Sequence, residues 1–253
     1  MMADDAGVWL EYPKDFVANS PMEIQRKINW FTRFILILLP TILGTAIYRD
    51  IKSEMYSLLY VYPMTKLSYL LAKFSSAFLV LMVSISFIGF GLVAGTALPN
   101  AKAEMLTAFD IIPYLQSYFI FIIPNLLFLG SIVFGVVALT RNIYAGFIAI
   151  AVLYIFQMLI GSLTGNIENE FAMALSDPTG AMSLQYYITA WSPIQMRQNY
   201  IPIEKAIILN RLLWLSVAVL VFVVTYLKFK FSQQTVNFLN FSIFKSKAET
   251  ANT

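Results

Sequence analysis

Ile47-Tyr-Arg-Asp-Ile-Lys-Ser-Glu-Met-Tyr-Ser-Leu-Leu-Tyr-Val-Tyr-Pro-Met-Thr-Lys66 is a charged stretch set between two strongly apolar runs. Ile51, Met55, Leu58, Leu59 and Tyr62 recur at helical spacing, while Arg49, Lys52, Ser53 and Glu54 fall largely on the other side. That pattern predicts a short amphipathic helix over about 49–66, ended by Pro63. Two readings are open for such a helix: it rests on the lipid surface, or a cytoplasmic partner grips it. The runs on either side decide the fold class.

Those runs belong to a chain of 253 residues that is 59% hydrophobic, 15% aromatic and only 12% charged, with a mean hydropathy of +0.71. This exceeds what a soluble core of that size requires. The expected fold is an all-α, polytopic membrane bundle of five spans, at about 30–48, 74–98, 112–139, 143–163 and 206–227. The first run tolerates Pro40 and Gly44 inside a bundle, and Arg33 snorkels from its end. Ser84, Ser86, Gly89, Gly91 and Gly95 in the second let helices approach closely. Pro124-Asn125 predicts a kink in the third, and the short Thr140-Arg141-Asn142 turn makes the third and fourth antiparallel neighbours.

The connection over 164–205 is too long for a turn and carries Tyr186, Tyr187, Trp191 and Tyr200. Such aromatic segments suit the headgroup level or the mouth of a bundle, with short helices expected at 184–190 and 193–198. Residues 232–253 form a polar tail.

Lys and Arg counted on alternate sides of the five spans set the orientation. With the amino terminus outside, the inner segments hold nine basic and three acidic residues, against eight and eleven outside. The basic excess places the 49–66 stretch and the carboxyl terminus in the cytoplasm. An outside amino terminus without a signal sequence, and the opening Met-Met-Ala-Asp-Asp, lead to the expectation that a first transmembrane helix lies upstream of this chain.

The chain has no cysteine and no histidine. Disulfides, thiol nucleophiles, imidazole bases and the commonest zinc ligands are therefore excluded. No phosphate-binding Gly-x-x-x-x-Gly-Lys-Ser/Thr motif occurs and no acidic cluster lies inside a span, so no catalytic, cofactor or metal-binding residue is assigned. Asn125 and Gln157 are the deeper polar groups, read as interhelical hydrogen bonds or, alternatively, as pathway contacts. In the 49–66 stretch, Asp50 and Glu54 lie one turn apart, where anionic lipid would repel them and a protein partner would suit them.

Gly-Thr-Ala-Ile-Tyr-Arg-Asp at 44–50, Ser53-Glu54, Tyr62-Pro63-Met64-Thr65-Lys66, Tyr69 and Lys73 resemble the second-span and coupling-helix region of type-2 ABC exporter permeases. Asn19-Ser20-Pro21, Asp177-Pro178-Thr179-Gly180, Trp191, Asn199 and Asn210-Arg211-Leu212-Leu213-Trp214 are similar to the permease halves of large bacterial proteins fused to a zinc aminopeptidase. Thr179 departs from the aromatic expected in that Asp-Pro-x-Gly pattern, and Asp50 stands where Glu is frequent.

The resemblance spans 1–231 and implies a permease transmembrane domain of the bacterial cytoplasmic membrane. It further implies a coupling helix at 49–66, exterior re-entrant helices over 164–205, and a separate ATPase subunit carrying ATP and magnesium. It implies pairing with a second copy or a sister permease, with lipid around it, while the small net charge of +3 gives no support to a nucleic-acid partner. Arg49, Asp50, Glu54, Met55, Leu58 and Lys66 are the expected ATPase-coupling residues. The alternatives are a noncatalytic membrane anchor or assembly protein, and a fragment of an aminopeptidase–permease fusion.

Overall fold

The computed structural model describes residues 17–53, 65–99, 101, 103–164 and 170–230. The centre of the 49–66 stretch, with Glu54, Met55, Leu58 and Pro63, and the tail at 232–253 lie outside the described residues. Every regular element among the described residues is helical.

Helix α1 (Pro21–Leu36) leads through a wide π-type turn at Pro40–Gly44 into α2 (Thr45–Lys52). Proline has no N–H to bond the preceding turn and its ring crowds that carbonyl, so the backbone widens where Pro40 falls. Helix α3 runs from Lys66 to Thr96, and α4 from Ile112 to Thr140 with a π-type segment at Ser117–Ile122. The widening sits just before Pro124 and relieves the same clash; a π-type segment is the form taken by the distortion expected at Pro124-Asn125. Arg141, in the left-handed conformation with φ 56°, closes α4 by donating its N–H to Val137 O. Helix α5 (Ile143–Thr164) then turns back. Three short helices follow, α6 (Glu170–Ser176), α7 (Ala181–Ile188) and α8 (Pro193–Gln198), before α9 (Lys205–Lys228).

Three of these helices, α3, α4 and α9, are long and apolar enough to cross a membrane. The apolar stretch of α5 described over Ile143–Leu159 is shorter, and α1 with α2 is divided at Pro40. Helix α3 begins eight residues before the expected second span. Thr65 caps it by accepting from Ser68 N–H at 3.2 Å, and Lys73, which marked the boundary in sequence, is matched by a carboxylate and so remains inside the helix.

Helix α4 is the axis of the fold: two thirds of its most apolar window is buried, against about a fifth for α3 and α9. Leu126, Val133, Phe134 and Val137 on α4 meet Leu39, Leu43 and Ile47 from the first helical pair and Leu70, Phe74 and Leu81 from α3. Phe74, Phe134 and Phe222 form a three-ring cluster with centroids 5.4–6.3 Å apart. Gly135 lets α4 approach α9 closely, since a Cβ there would collide with Thr225 Oγ1. Small residues at a helix crossing allow this approach and the dispersion contacts that hold apolar helices together in lipid. The outer faces of α3, α5 and α9 remain exposed and apolar, with Phe87, Phe90, Ile148, Ile155, Leu212 and Leu220 among them. Lipid is the solvent that such a surface requires.

Candidate functional site

Polar side chains buried in an apolar bundle are costly unless they are fully bonded, so their positions mark where the fold is held on purpose. They gather at two ends. The basic end comprises the end of α2, the start of α3, the α4–α5 turn and the end of α9. The cap end comprises 17–20, 103–111 and the short helices α6 to α8.

At the basic end, Asp50 is buried at the end of α2 and its Oδ2 lies 2.7 Å from Lys73 Nζ. Tyr69 donates its hydroxyl to the same oxygen at 3.1 Å. Lys66 Nζ donates to Phe229 O at 3.0 Å and sits 4.5 Å from the centroid of the Tyr226 ring. Tyr69 stacks on Phe229 with centroids 6.0 Å apart, and Arg141 Nη2 donates to Lys230 O at 3.1 Å. Both boundaries of the 49–66 stretch are thus wired to the end of α9. Asp50 reaches it through Tyr69 on α3, and Lys66 reaches it directly.

Among the residues expected to face an ATPase, Arg49 is exposed, whereas Asp50 and Lys66 direct their charges into this network. Their charges tie the stretch to the bundle. Glu54, Met55 and Leu58 lie outside the described residues.

The cap end is organised by a loop. Asp177, buried between α6 and α7, accepts from the Thr179 N–H at 2.9 Å, the Thr179 hydroxyl at 2.7 Å and the Met182 N–H at 3.1 Å. The Thr179 hydroxyl that replaces the expected aromatic closes this turn. Gly180 follows at φ +76°, a left-handed conformation open to glycine, and a Cβ there would collide with the guanidinium of Arg211.

That guanidinium is the centre of the cluster. Arg211 Nη1 donates to Asn125 Oδ1 at 2.9 Å, Nη2 to Pro178 O at 3.3 Å and Nε to Asn210 Oδ1 at 3.1 Å. Phe121 lies beneath it at 5.6 Å from the ring centroid. Asn210 Nδ2 donates to Ala174 O and Asp177 O, each at 2.8 Å, and Trp214 Nε1 donates to Leu175 O at 3.1 Å. Asn125 also donates to Thr179 O at 3.1 Å. Helices α4 and α9 together therefore grip the α6–α7 hairpin through its own carbonyls.

Three further clasps close the cap. Asn19 pairs with both backbone groups of Thr107, at 2.7 and 2.8 Å. Gln116 Oε1 accepts from Ile201 N–H at 3.1 Å. Tyr200 donates to Asp110 Oδ2 at 2.5 Å. That bond, together with the Ile112 N–H, lowers the Asp110 pKa, and it raises that of Tyr200. Burial lowers the pKa of Lys27, whose ammonium donates to Ala18 O at 2.6 Å.

Asn125 is one of the two deep polar residues named from sequence, and it serves helix packing within the Arg211 cluster. The other, Gln157, is half-buried on α5. The part of Arg211 as hub of the cap was missed by sequence reasoning, which named it only within the Asn210-Arg211-Leu212-Leu213-Trp214 resemblance. Its signal was an Asn-Arg pair inside an apolar run, an arrangement that is rare without a partner. No group of three or more Asp or Glu side chains converges among the described residues. Comparisons of the chain with protein families, with curated proteins and with solved structures find no match.

Proposed function

We propose that this chain is the membrane-spanning subunit of an ATP-driven ABC exporter, acting as a dimer or beside a sister permease and driven by a separate ATPase. In this reading α1–α2 and α5 complete a set of five spans. The membrane is the bacterial cytoplasmic membrane, and the basic end and carboxyl terminus face the cytoplasm. Support comes from the resemblance of residues 44–73 and from the three long apolar helices.

The observation that carries the proposal is the attachment of both boundaries of the 49–66 stretch to one frame, by Asp50 to Lys73 and Tyr69 and by Lys66 to Phe229. Closure of an ATPase pair against the stretch would displace α2, α3 and the end of α9 together. Helix α9 reaches from Tyr226 to Arg211, about 22 Å at ~1.5 Å per residue, so the same rod ends in the cap clamp. A push at one end then bears on the hairpin at the other, which is the coupling an alternating-access exporter needs. Coupling requires an element with two arrangements that both ends bias, and the clasped hairpin is the element proposed here.

Glu54→Lys with Met55→Ala should abolish co-purification of the ATPase from native membranes. Asp50→Asn should leave the ATPase bound but lower its ATP turnover in the assembled complex. An ATPase that stays bound and active in the first variant would sink the coupling assignment. Purification of the native protein with no ATPase attached would sink the proposal as a whole.

A further inference from the structure

The two ends differ in charge as well as in bonding. Among the described residues the basic end carries Arg49, Lys52, Lys66, Lys73, Arg141, Lys228 and Lys230 against a single acid, Asp50, which is already matched by Lys73. The described residues outside the basic end are balanced, with six basic and six acidic. Four of the cations at the basic end, Lys66, Arg141, Lys228 and Lys230, gather about the exit of α9, where Lys66 and Arg141 bond the successive carbonyls of Phe229 and Lys230.

Exposed apolar side chains lie within about two helical turns of these cations along the chain: Leu67 and Leu71 on α3, Tyr144 and Ile148 on α5, and Val224 and Leu227 on α9. Cations ending an apolar, outward-facing collar match the order of a phospholipid, with acyl chains along the collar and phosphate at the lysines.

We propose that the basic end is a binding surface for anionic phospholipid, with the headgroup phosphate held at the exit of α9 by Lys228, Lys230 and Lys66, and with Lys52 at the end of α2 adding to the positive charge of the surface. Lys66 also has a structural bond, whereas Lys52, Lys228 and Lys230 are exposed and available. The surface is independent of the ATPase reading: it depends on charge and collar alone, and it would act in a simple membrane anchor too.

The test reconstitutes the full chain in nanodiscs of phosphatidylcholine alone or mixed with phosphatidylglycerol, and counts the lipid retained after transfer to neutral detergent by mass spectrometry. Phosphatidylglycerol should be enriched in the retained lipid, and the enrichment should shrink as salt rises. Substituting Lys52→Gln, Lys228→Gln and Lys230→Gln together should reduce it by about fivefold per lysine, the equivalent of about 1 kcal/mol for each charge at an anionic surface. The corresponding Lys→Arg triple should retain it.

Indifference of the unmodified protein to lipid charge would overturn the proposal without recourse to any variant. Equal enrichment in the Gln triple would also overturn it. Inorganic phosphate binding to the protein in neutral detergent as tightly as the lipid would remove the lipid assignment. Loss of a co-purifying protein from the Gln triple, with lipid retention unchanged, would reassign the surface to that partner.

Discussion

The basic end and the cap end each hold a charge inside an apolar bundle, but by opposite means. At the basic end the charge is a pair, Asp50 with Lys73, and the Lys73 side chain keeps about a quarter of its surface exposed. At the cap end Arg211 is 7% exposed and is hydrogen-bonded to the neutral oxygens of Asn125, Asn210 and Pro178, while the Asp177 carboxylate spends its hydrogen bonds on its own turn and acts on the guanidinium through space. Water can replace a bond lost at the first site. At the second, losing the guanidinium strands several buried acceptors at once. The basic end is therefore the cheaper of the two to rearrange, and the clasped hairpin of the cap end changes its arrangement only when it is forced.

The sharpest way to break this contrast is at Arg211. Arg211→Ala should destabilise the folded chain by about 3–5 kcal/mol, the range for removing one member of a buried charged network. Thermal unfolding in nanodiscs would show it, with protease cleavage appearing first between residues 170 and 200. Gly180→Ala attacks the same clamp from the loop side, adding about 1–2 kcal/mol of left-handed strain to the displacement of the guanidinium. If Arg211→Ala cost less than Asp50→Asn, the assignment of rigid and movable ends would be reversed.

At the other end, Asp50→Asn leaves the Tyr69 hydroxyl a partner but leaves Lys73 without its carboxylate. Exposure of Lys73 lets solvent recover part of the loss, so about 2 kcal/mol is expected, below the buried-pair range. A double-mutant cycle with Lys73→Met would isolate the pair, and the coupling energy should shrink as salt is raised. The Arg211 effect should respond little to salt, because the guanidinium and its partners are enclosed.

Much of the bundle was legible in the apolar runs. The expected limits 112–139, 143–163 and 206–227 differ by only a residue or so from Ile112–Thr140, Ile143–Thr164 and Lys205–Lys228. The short helix expected at 193–198 is α8, and the reciprocal bonds between Ser192 and Gln195 form its capping box. The start of α3 was misplaced because Lys73 reads as a boundary until Asp50 is seen beside it. Pro124 marked a distortion and Pro40 read as tolerated inside the bundle, but periodicity cannot say that the backbone answers both with π-type turns. The cap cluster was illegible for a different reason: Asn125, Asp177 and Arg211 lie up to 86 positions apart, and only tertiary folding makes them one object. A single sequence carries no signal for such a convergence beyond the rarity of arginine in an apolar run.

The smallest expected effect lies on the rim of the cap, where the Asp110–Tyr200 bond tests whether the outer clasps share the rigidity of the Arg211 clamp. The hydrogen bond from Tyr200 lowers the Asp110 pKa, and the same bond raises that of Tyr200. For the carboxyl, the folded value lies below the unfolded one, so its contribution is complete above the ordinary carboxylate range and is lost as pH falls through the depressed value. For the phenol the sign is opposite: its contribution is complete below the ordinary tyrosine range and is lost as pH rises through the elevated value. The clasp is accordingly intact across the whole interval between them, and neutral pH should not perturb it. Tyr200→Phe should raise the Asp110 pKa toward the ordinary carboxylate value, read by carbon NMR of the labelled side chain, while barely changing the unfolding midpoint at neutral pH because both groups are open to solvent. A large loss of stability in that variant would show that the rim, rather than Arg211, holds the cap in place.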